Sequence, residues 1–395
     1  MSILYITYDG ILEPLGQSQV LAYQEKLGKN YKIFLFSFEK PKDLENTELL
    51  ESIQERIDQS SITWFFHKYH KFPDTISTLY DLSIGLFHCS YLVWRYKIKV
   101  VHARSYPPAL IALFLKKIFR IKFIFDMRGF WADERVDGNI WKKGSINYRL
   151  TKFLEKLFIQ SADHIISLTQ VAVEEIKKFK YVNSSELPIT VISTCVNLEK
   201  FLPEPYINKK DNFKFGYLGT VGSWYLFDDT IKAFHIGLNL IPSAKILIIN
   251  KGEHDFIKSK LNHYKIPLSS VELIDANHSE VPGLLQEITA GVFFLKPLFS
   301  KQASAPTKLG EFLACGIPCL TNDGIGDMGA IIKNGKVGVT VKELNDSSIR
   351  SGLISLIKLT KQEDIVDRCV SVANKYFSLN DGIDGYRKIY NDFLQ

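Results

Sequence analysis

The sequence predicts an α/β protein of two doubly wound, Rossmann-like domains, on three observations. Short apolar runs alternate with longer amphipathic stretches along nearly the whole chain, as parallel strands and their crossover helices do. The alternation breaks at 201–211 (FLPEPYINKKD), which has two prolines and no periodicity, and then restarts. The length of 395 residues also exceeds one comfortable hydrophobic core. The predicted domains are 1–203 and 212–375, each presenting its strand ends to a shared cleft, with 376–395 as a closing helix.

In order, 3–8 is a first strand, and 9–18 (DGILEPLGQS) is a loop with two glycines before a helix from Gln19. Strands follow at 32–38 (KIFLFSF) and 62–66, with a charged helix over 42–59 between them. The stretch 74–96 has the length of a long amphipathic helix. A strand over 100–103 ends in His102 and Arg104. A helix over 107–119 carries proline in its first turn, where the missing N–H costs nothing. The strand 123–127 opens into Arg128, Gly129, Phe130 and Trp131. Helix (about 146–160), strand (164–168), helix and strand (190–193) complete the first half. The second half begins with a strand at 214–218 and a glycine-bearing turn, 219–224 (GTVGSW). Strands at 246–249, 271–274 and 292–298 (VFFLKPL) come next, with helices between. Two helices close the chain, bearing Tyr376, Phe377, Tyr386, Tyr390 and Phe393.

The net charge of +6 and pI ≈ 8.8 suit anionic ligands or a membrane surface, and argue only weakly for nucleic acid, so no nucleic-acid partner is expected. The basic clusters are Lys116, Lys117, Arg120 and Lys122, then Lys177, Lys178 and Lys180; the solvated helix end is the favoured reading of each. The five cysteines form no framework and lack the partners of a zinc site, so they read as reduced and buried, with no metal. The N-terminus lacks the features of a signal peptide, and no stretch reaches the roughly 18 apolar residues of a membrane span. The expectation is a cytoplasmic protein, with the inner face of the cell membrane as a docking surface.

The chain is organised around 300–322 (SKQASAPTKLGEFLACGIPCLTN). Pro306 is placed to start a helix, Leu309, Phe312 and Leu313 recur on one helical face, and Gly316 is a residue able to take φ > 0 after the helix. That helix begins at the carboxyl end of a buried strand, where open α/β sheets hold ligands. Its free N–H groups and dipole suit an anion. Lys308 suits phosphate; Glu311, three residues on, suits paired hydroxyls such as a ribose diol. A plain surface helix with an i,i+3 ion pair is the competing reading.

Strings at 8–20 (YDGILEPLGQSQV), 101–110 (VHARSYPPAL), 126–138 (DMRGFWADERVDG), 191–201 (VISTCVNLEKF), 215–225 (FGYLGTVGSWY) and, most specifically, 304–318 (SAPTKLGEFLACGIP) resemble the group-one (family-four) glycosyltransferases of GT-B fold. The resemblance covers nearly the whole chain and is similar to bacterial enzymes of surface-polysaccharide synthesis. It implies retaining transfer of a sugar from a nucleotide sugar, UDP- or GDP-linked, to a glycan or lipid-linked acceptor, without metal or cofactor. It implies an acceptor-side first domain, a donor-binding second domain, and a last helix that packs back on the first.

Residue by residue, Glu311 stands where the family's second glutamate binds the donor ribose, whereas Ala303 occupies the place of its first. The turn 219–223 lacks the family's diphosphate-gripping arginine and lysine, so the charge falls to Lys308. Arg128 stands in the place of the family's histidine. The candidate sites are therefore Gly16, Gln17, Gly219, Thr220, Ser304, Lys308 and Glu311 for the donor, and Arg128, Lys308 and Asp126 for catalysis. Arg104, His102 and Trp131 are the acceptor-side candidates. His102, alternating with apolar neighbours, reads first as a satisfied core histidine; for Arg104 and Arg128 the competing reading is a salt bridge to Asp126 or Asp133. Two further readings are a nucleotide-sugar-binding subunit without catalysis, pointed to by Ala303 and the missing bases, and a GT-B sugar epimerase, for which no carboxylate set stands out.

Overall fold

The computed structural model describes residues 2–72, 74–183, 187–203, 213–277 and 279–394. The chain forms two compact units, one of 1–192 with 380–395 and one of 193–379. The predicted boundary at 203 thus gives way to one at 192, with 193–203 belonging to the second unit; most of the predicted linker falls outside the described residues.

The first unit has strands β1 (Ser2–Thr7), β2 (Lys32–Glu39), β3 (Ile62–Lys68), β4 (Val100–Arg104), β5 (Lys122–Asp126), β6 (His164–Ser167) and β7 (Ile189–Val191). They form one parallel sheet in the order β3-β2-β1-β4-β5-β6-β7. Its helices are α1 (Pro14–Gly16), α2 (Ala22–Leu27), α3 (Pro41–Leu44), α4 (Thr47–Asp58), α5 (Asp74–Tyr96), α6 (Tyr106–Phe119), α7 (Trp131–Asp137), α8 (Ile146–Ser161) and α9 (Gln170–Lys177). The strand order reverses between β1 and β4, so the carboxyl ends of these two strands flank the crevice that doubly wound sheets use for ligands.

The second unit has strands β8 (Lys214–Leu218), β9 (Lys245–Ile249), β10 (Val271–Ile274), β11 (Ala290–Val292), β12 (Cys319–Asn322) and β13 (Gly338–Val341). These are parallel in the order β10-β9-β8-β11-β12-β13, with the reversal between β8 and β11. Its helices are α10 (Phe227–Leu240), α11 (His254–His263), α12 (Val281–Leu285), α13 (Thr307–Ala314), α14 (Met328–Gly335), α15 (Asp346–Leu359) and α16 (Ile365–Phe377). The last helix, α17 (Leu379–Leu394), returns to the first unit from residue 380.

Several expectations change. The helix after β1 starts at Pro14, not Gln19, and runs through a π-helical turn, Gln17–Leu21. Gly16 is therefore helical (φ −62°) rather than in a loop. The run 292–298 is a strand only to Val292. Past that point the Asn322 side chain holds both the N–H and the C=O of Leu295 (2.8 and 2.9 Å). Pro297 has no N–H to give a ladder. The run is apolar because Phe293, Phe294 and Leu295 are buried, not because it is regular. β13 escapes prediction because its four residues are mostly half-exposed and make no apolar run. Three helices rather than two end the chain, and the closing aromatics divide between them. Phe377 lies in the core of the second unit, while Tyr386 and Tyr390 serve the first. All five cysteines are buried. Among the described residues no helix is long and apolar enough to cross a membrane.

Candidate active site

In the second unit the chemistry gathers at the carboxyl ends of β8 and β11. β8 runs into Gly219, whose φ of +94° only glycine adopts without strain. The Gly219 N–H donates to the Ile249 carbonyl (2.8 Å), and its own carbonyl accepts from Asn250 Nδ2 (3.1 Å). Glu253 accepts from Asn250 Nδ2 (2.8 Å) and from the Val221 N–H (3.0 Å), which fixes the turn from below. Asn250 and Glu253 were not anticipated. Their signal lay in the polar NKGE at 250–253, directly after an apolar strand.

α13 starts with Pro306 at its N-cap, not inside the helix as expected, and every residue from Lys308 to Ala314 is buried. Gly316 follows with φ +74°. A fully buried helix rules out the plain surface reading. Lys308 is 6% exposed, and its ammonium makes no hydrogen bond. It sits instead over the faces of Tyr225 (3.6 Å to the ring centroid), Tyr217 (4.3 Å) and Phe293 (5.5 Å). A Cβ on Gly219 would lie 3.6 Å from it, so the ammonium borders the glycine turn. Burial lowers the Lys308 pKa to about 7, against the pull of Glu311 and Glu253. Burial likewise raises Glu311 to about 7, opposed by Lys308. Cation–π contact returns about 2 kcal/mol of a desolvation cost of several kcal/mol, so the ammonium is left short of a partner. Thr220 is exposed beside the turn, and its carbonyl accepts from the Tyr217 hydroxyl (2.5 Å). Ser304 is half-buried at the entry to α13, bonded through its N–H to Lys301 (3.1 Å). Ala303 is 3% exposed and has no polar group to offer.

The first unit gathers its own cluster where β4 and β5 end. Asp126 is buried with His102 Nε2 at 3.6 Å, Arg128 Nη1 at 3.7 Å and Arg104 Nη1 at 3.9 Å. The Tyr386 hydroxyl donates to it at 3.3 Å. His102 Nδ1 pairs with the Tyr390 hydroxyl (2.7 Å), so α17 closes the cluster from behind. Arg104 also reaches Asp9, after β1, at 3.4 Å. Burial would raise the Asp126 pKa, but Arg128, His102 and Arg104 together hold it below the carboxylate norm. Burial keeps His102 below the usual imidazole value. The site therefore holds a charged carboxylate, a neutral histidine and two guanidinium groups. Arg128 holds a left-handed backbone (φ +57°), strained for a non-glycine residue.

The other predicted residues stand apart from these clusters. Gly16 packs its helix onto the preceding chain: a Cβ there would lie 1.9 Å from the Gly10 carbonyl oxygen. Gln17 spends its side-chain amide on the Leu12 carbonyl (3.0 Å). Buried Glu39, missed from sequence, anchors the same loop through the N–H groups of Ile11 (2.9 Å) and Leu12 (3.2 Å). Trp131 stacks on Tyr106 (5.8 Å) and carries the Arg135 guanidinium at 4.9 Å. Asp133 pairs with Lys152 (3.1 Å) rather than with either arginine. Four residues of the basic clusters are ion-paired within the fold. Lys116 and Lys122 both bind Asp163 (2.6 and 3.2 Å), while Lys177 and Lys178 bind Glu174 and Glu175 (2.9 and 2.6 Å). Among the described residues no group of three or more His, Cys, Asp or Glu side chains is placed to hold a metal ion.

Residues 199–368 match the family of glycosyl transferases group 1, and 71–193 match the glycosyl transferase 4-like domain. No curated protein sequence matches the chain. Among solved structures, a glycosyltransferase from Rickettsia africae ESF-5 superposes with a TM-score of 0.73 at 13% identity, covering 100% of this chain and 98% of that one. Sucrose-phosphate synthase from Thermosynechococcus elongatus gives 0.73 at 12% identity, covering 100% and 99%. Anabaena HepE in complex with UDP-glucose gives 0.71 at 13% identity, covering 99% and 100%. At such identities the likeness is one of fold, and the fold is GT-B.

Proposed function

We propose that this chain, a group 1 glycosyltransferase by the domains it carries, moves a sugar with retention from a nucleoside-diphosphate sugar to a glycan or lipid-linked acceptor in cell-surface polysaccharide synthesis. The observation that carries this reading is the buried, unpartnered Lys308 ammonium beside the Gly219 turn. A diphosphate supplies the anion it lacks. As the sugar–phosphate bond breaks, negative charge grows on the leaving diphosphate, so Lys308 stabilises the transition state more than the ground state. The same charge makes a metal unnecessary. Glu311, one helical turn on, accepts hydroxyls of the donor ribose.

In the first unit, Arg104, Arg128 and Trp131 form the acceptor side. Asp126, held below its usual range, is a weak base and serves to position the two arginines. In a front-face retaining reaction the departing diphosphate itself takes the acceptor proton. HepE, of the same fold, is solved with UDP-glucose, which favours a UDP-sugar over a GDP-sugar. The cytoplasmic face of the membrane is the site consistent with such a donor. A second reading, a nucleotide-sugar-binding subunit, is favoured by Ala303. A panel of UDP- and GDP-sugars separates the two: the transferase releases nucleoside diphosphate in the presence of chelator and gives a product of retained anomeric configuration. Melting shifts with no turnover of any donor would leave the binding subunit.

A further inference from the structure

α5 is an amphipathic helix turned inside out. Up to Cys89 its inward row, at helical spacing, is small or polar, with Ser77, Asp81, Gly85 and Cys89 buried; only the last turn buries large apolar side chains, Leu92 and Val93. Asp81 is spent on His70 (2.6 Å) and the Tyr8 hydroxyl (3.1 Å), and Gly85 lets the helix lie against Ile111 of α6. Its outward row is apolar and aromatic. Ile76, Leu79, Tyr80, Phe87, Tyr91 and Trp94 are exposed, Phe87 at 81% and Trp94 at 69%. From Leu82 to Trp94 the helix carries no Asp, Glu, Lys or Arg. An ordinary surface helix of this unit does the reverse: α4 buries Ile53 and Ile57 and exposes Glu48, Glu51 and Glu55.

The apolar surface continues across the same layer. α6 packs against α5 and exposes Phe114 and Ile118; α8 packs against α6 and exposes Leu150 and Phe153. Both α5 and α6 run back against the parallel strands, so their C-terminal ends lie together. That end carries exposed Arg95, Lys97, Lys117 and Arg120. Among the described side chains these three helices expose no carboxylate. A broad apolar face needs a covering, and three features choose it. Tyr and Trp belong at the level of lipid headgroups; an aromatic face with a basic rim is that of a helix lying in the interface; and unopposed cations suit anionic phosphates. We propose that the outer face of α5, extended by α6 and α8, docks on an anionic phospholipid membrane, with its aromatic row at the headgroup–acyl boundary. The surface thus takes in Lys117 and Arg120 of the first basic cluster, whereas Lys116, Lys122, Lys177 and Lys178 are paired within the fold.

The test is flotation of the full chain with vesicles of phosphatidylcholine, alone or mixed with phosphatidylglycerol. The protein floats with the mixed vesicles and less so as salt rises. The double variant Phe87→Ser, Trp94→Ser loses roughly tenfold or more of that partitioning, while its melting temperature and its affinity for UDP stay those of the parent. Both residues are far out on the surface, so a folding defect would show in the melting curve, and the milder Phe87→Tyr, which keeps an interfacial aromatic, retains docking. No association of folded protein with the mixed vesicles, or equal association of the double variant, overturns the proposal. So does a dimer in sedimentation that the double variant splits, which would give the face to a second copy. Donor turnover is measured alongside, so loss of the transferase reading and loss of the docking face remain separate results.

Discussion

At Lys308 the protein keeps a cation where a fold alone would not place one. Replacing an unpartnered buried charge by an apolar side chain of similar length relieves desolvation, so Lys308→Met raises the stability of the unliganded protein by about 1–3 kcal/mol, read from thermal or denaturant unfolding. The same variant depresses turnover more than donor affinity. The sign of the pH dependence follows from the same group. Its pKa falls from 10.5 to about 7 on folding, so between those values the folded state binds fewer protons than the unfolded chain, and stability rises with pH. Lys308→Met removes that rise. Glu311, raised from 4.5 to about 7, gives the opposite slope between its two values. When a nucleoside diphosphate pairs with the ammonium, Lys308 regains its proton. Calorimetry above pH 7 in buffers of different ionisation enthalpy therefore shows proton uptake by the parent and none by the variant. Glu311→Gln costs about 1.5–3 kcal/mol of affinity for donor sugar and free nucleoside diphosphate alike; equal affinities for parent and variant would remove Glu311 from the ribose.

Among the elements, the segment after β1 shows how packing and ligand roles are told apart. Gly16 is pressed so closely on Gly10 that a methyl group cannot enter without moving the helix. Gly16→Ala therefore lowers stability by about 1–3 kcal/mol through overpacking, measurable in unfolding curves without any donor present. A residue serving only to let phosphate approach would leave the unliganded stability unchanged. The Gly219 turn is built differently. Its left-handed φ demands glycine, and its hold comes from Asn250 and Glu253 on the neighbouring strand end. One glycine thus answers to helix packing, the other to turn geometry and to the ammonium above it.

Over the whole molecule, the end of the chain completes its beginning. Tyr390 of α17 is wholly buried, bonded to His102 and set edge-on to Tyr31 (5.4 Å). Tyr390→Ala opens a cavity and strips His102 of its partner, at a cost of about 3–5 kcal/mol, seen as early melting of the unit that contains the seven-stranded sheet. The sequence by itself determined the α/β class, the division into two doubly wound sheets, the position of nearly every strand, and Lys308 and Glu311 as the centre of interest. Those rest on local periodicity and on the spacing of chemistry-bearing residues along one helix, which a linear text records. Only the tertiary structure decided that Gly16 is a packing glycine, that Arg104 and Arg128 share Asp126, that Asn250 and Glu253 hold the Gly219 turn, and that α5 wears its apolar row outward. Each of those depends on which groups from distant parts of the chain meet. Burial at Lys308 acts on the ionisation of one side chain through neighbours as far away in sequence as Tyr217 and Tyr225, and no local pattern encodes that meeting.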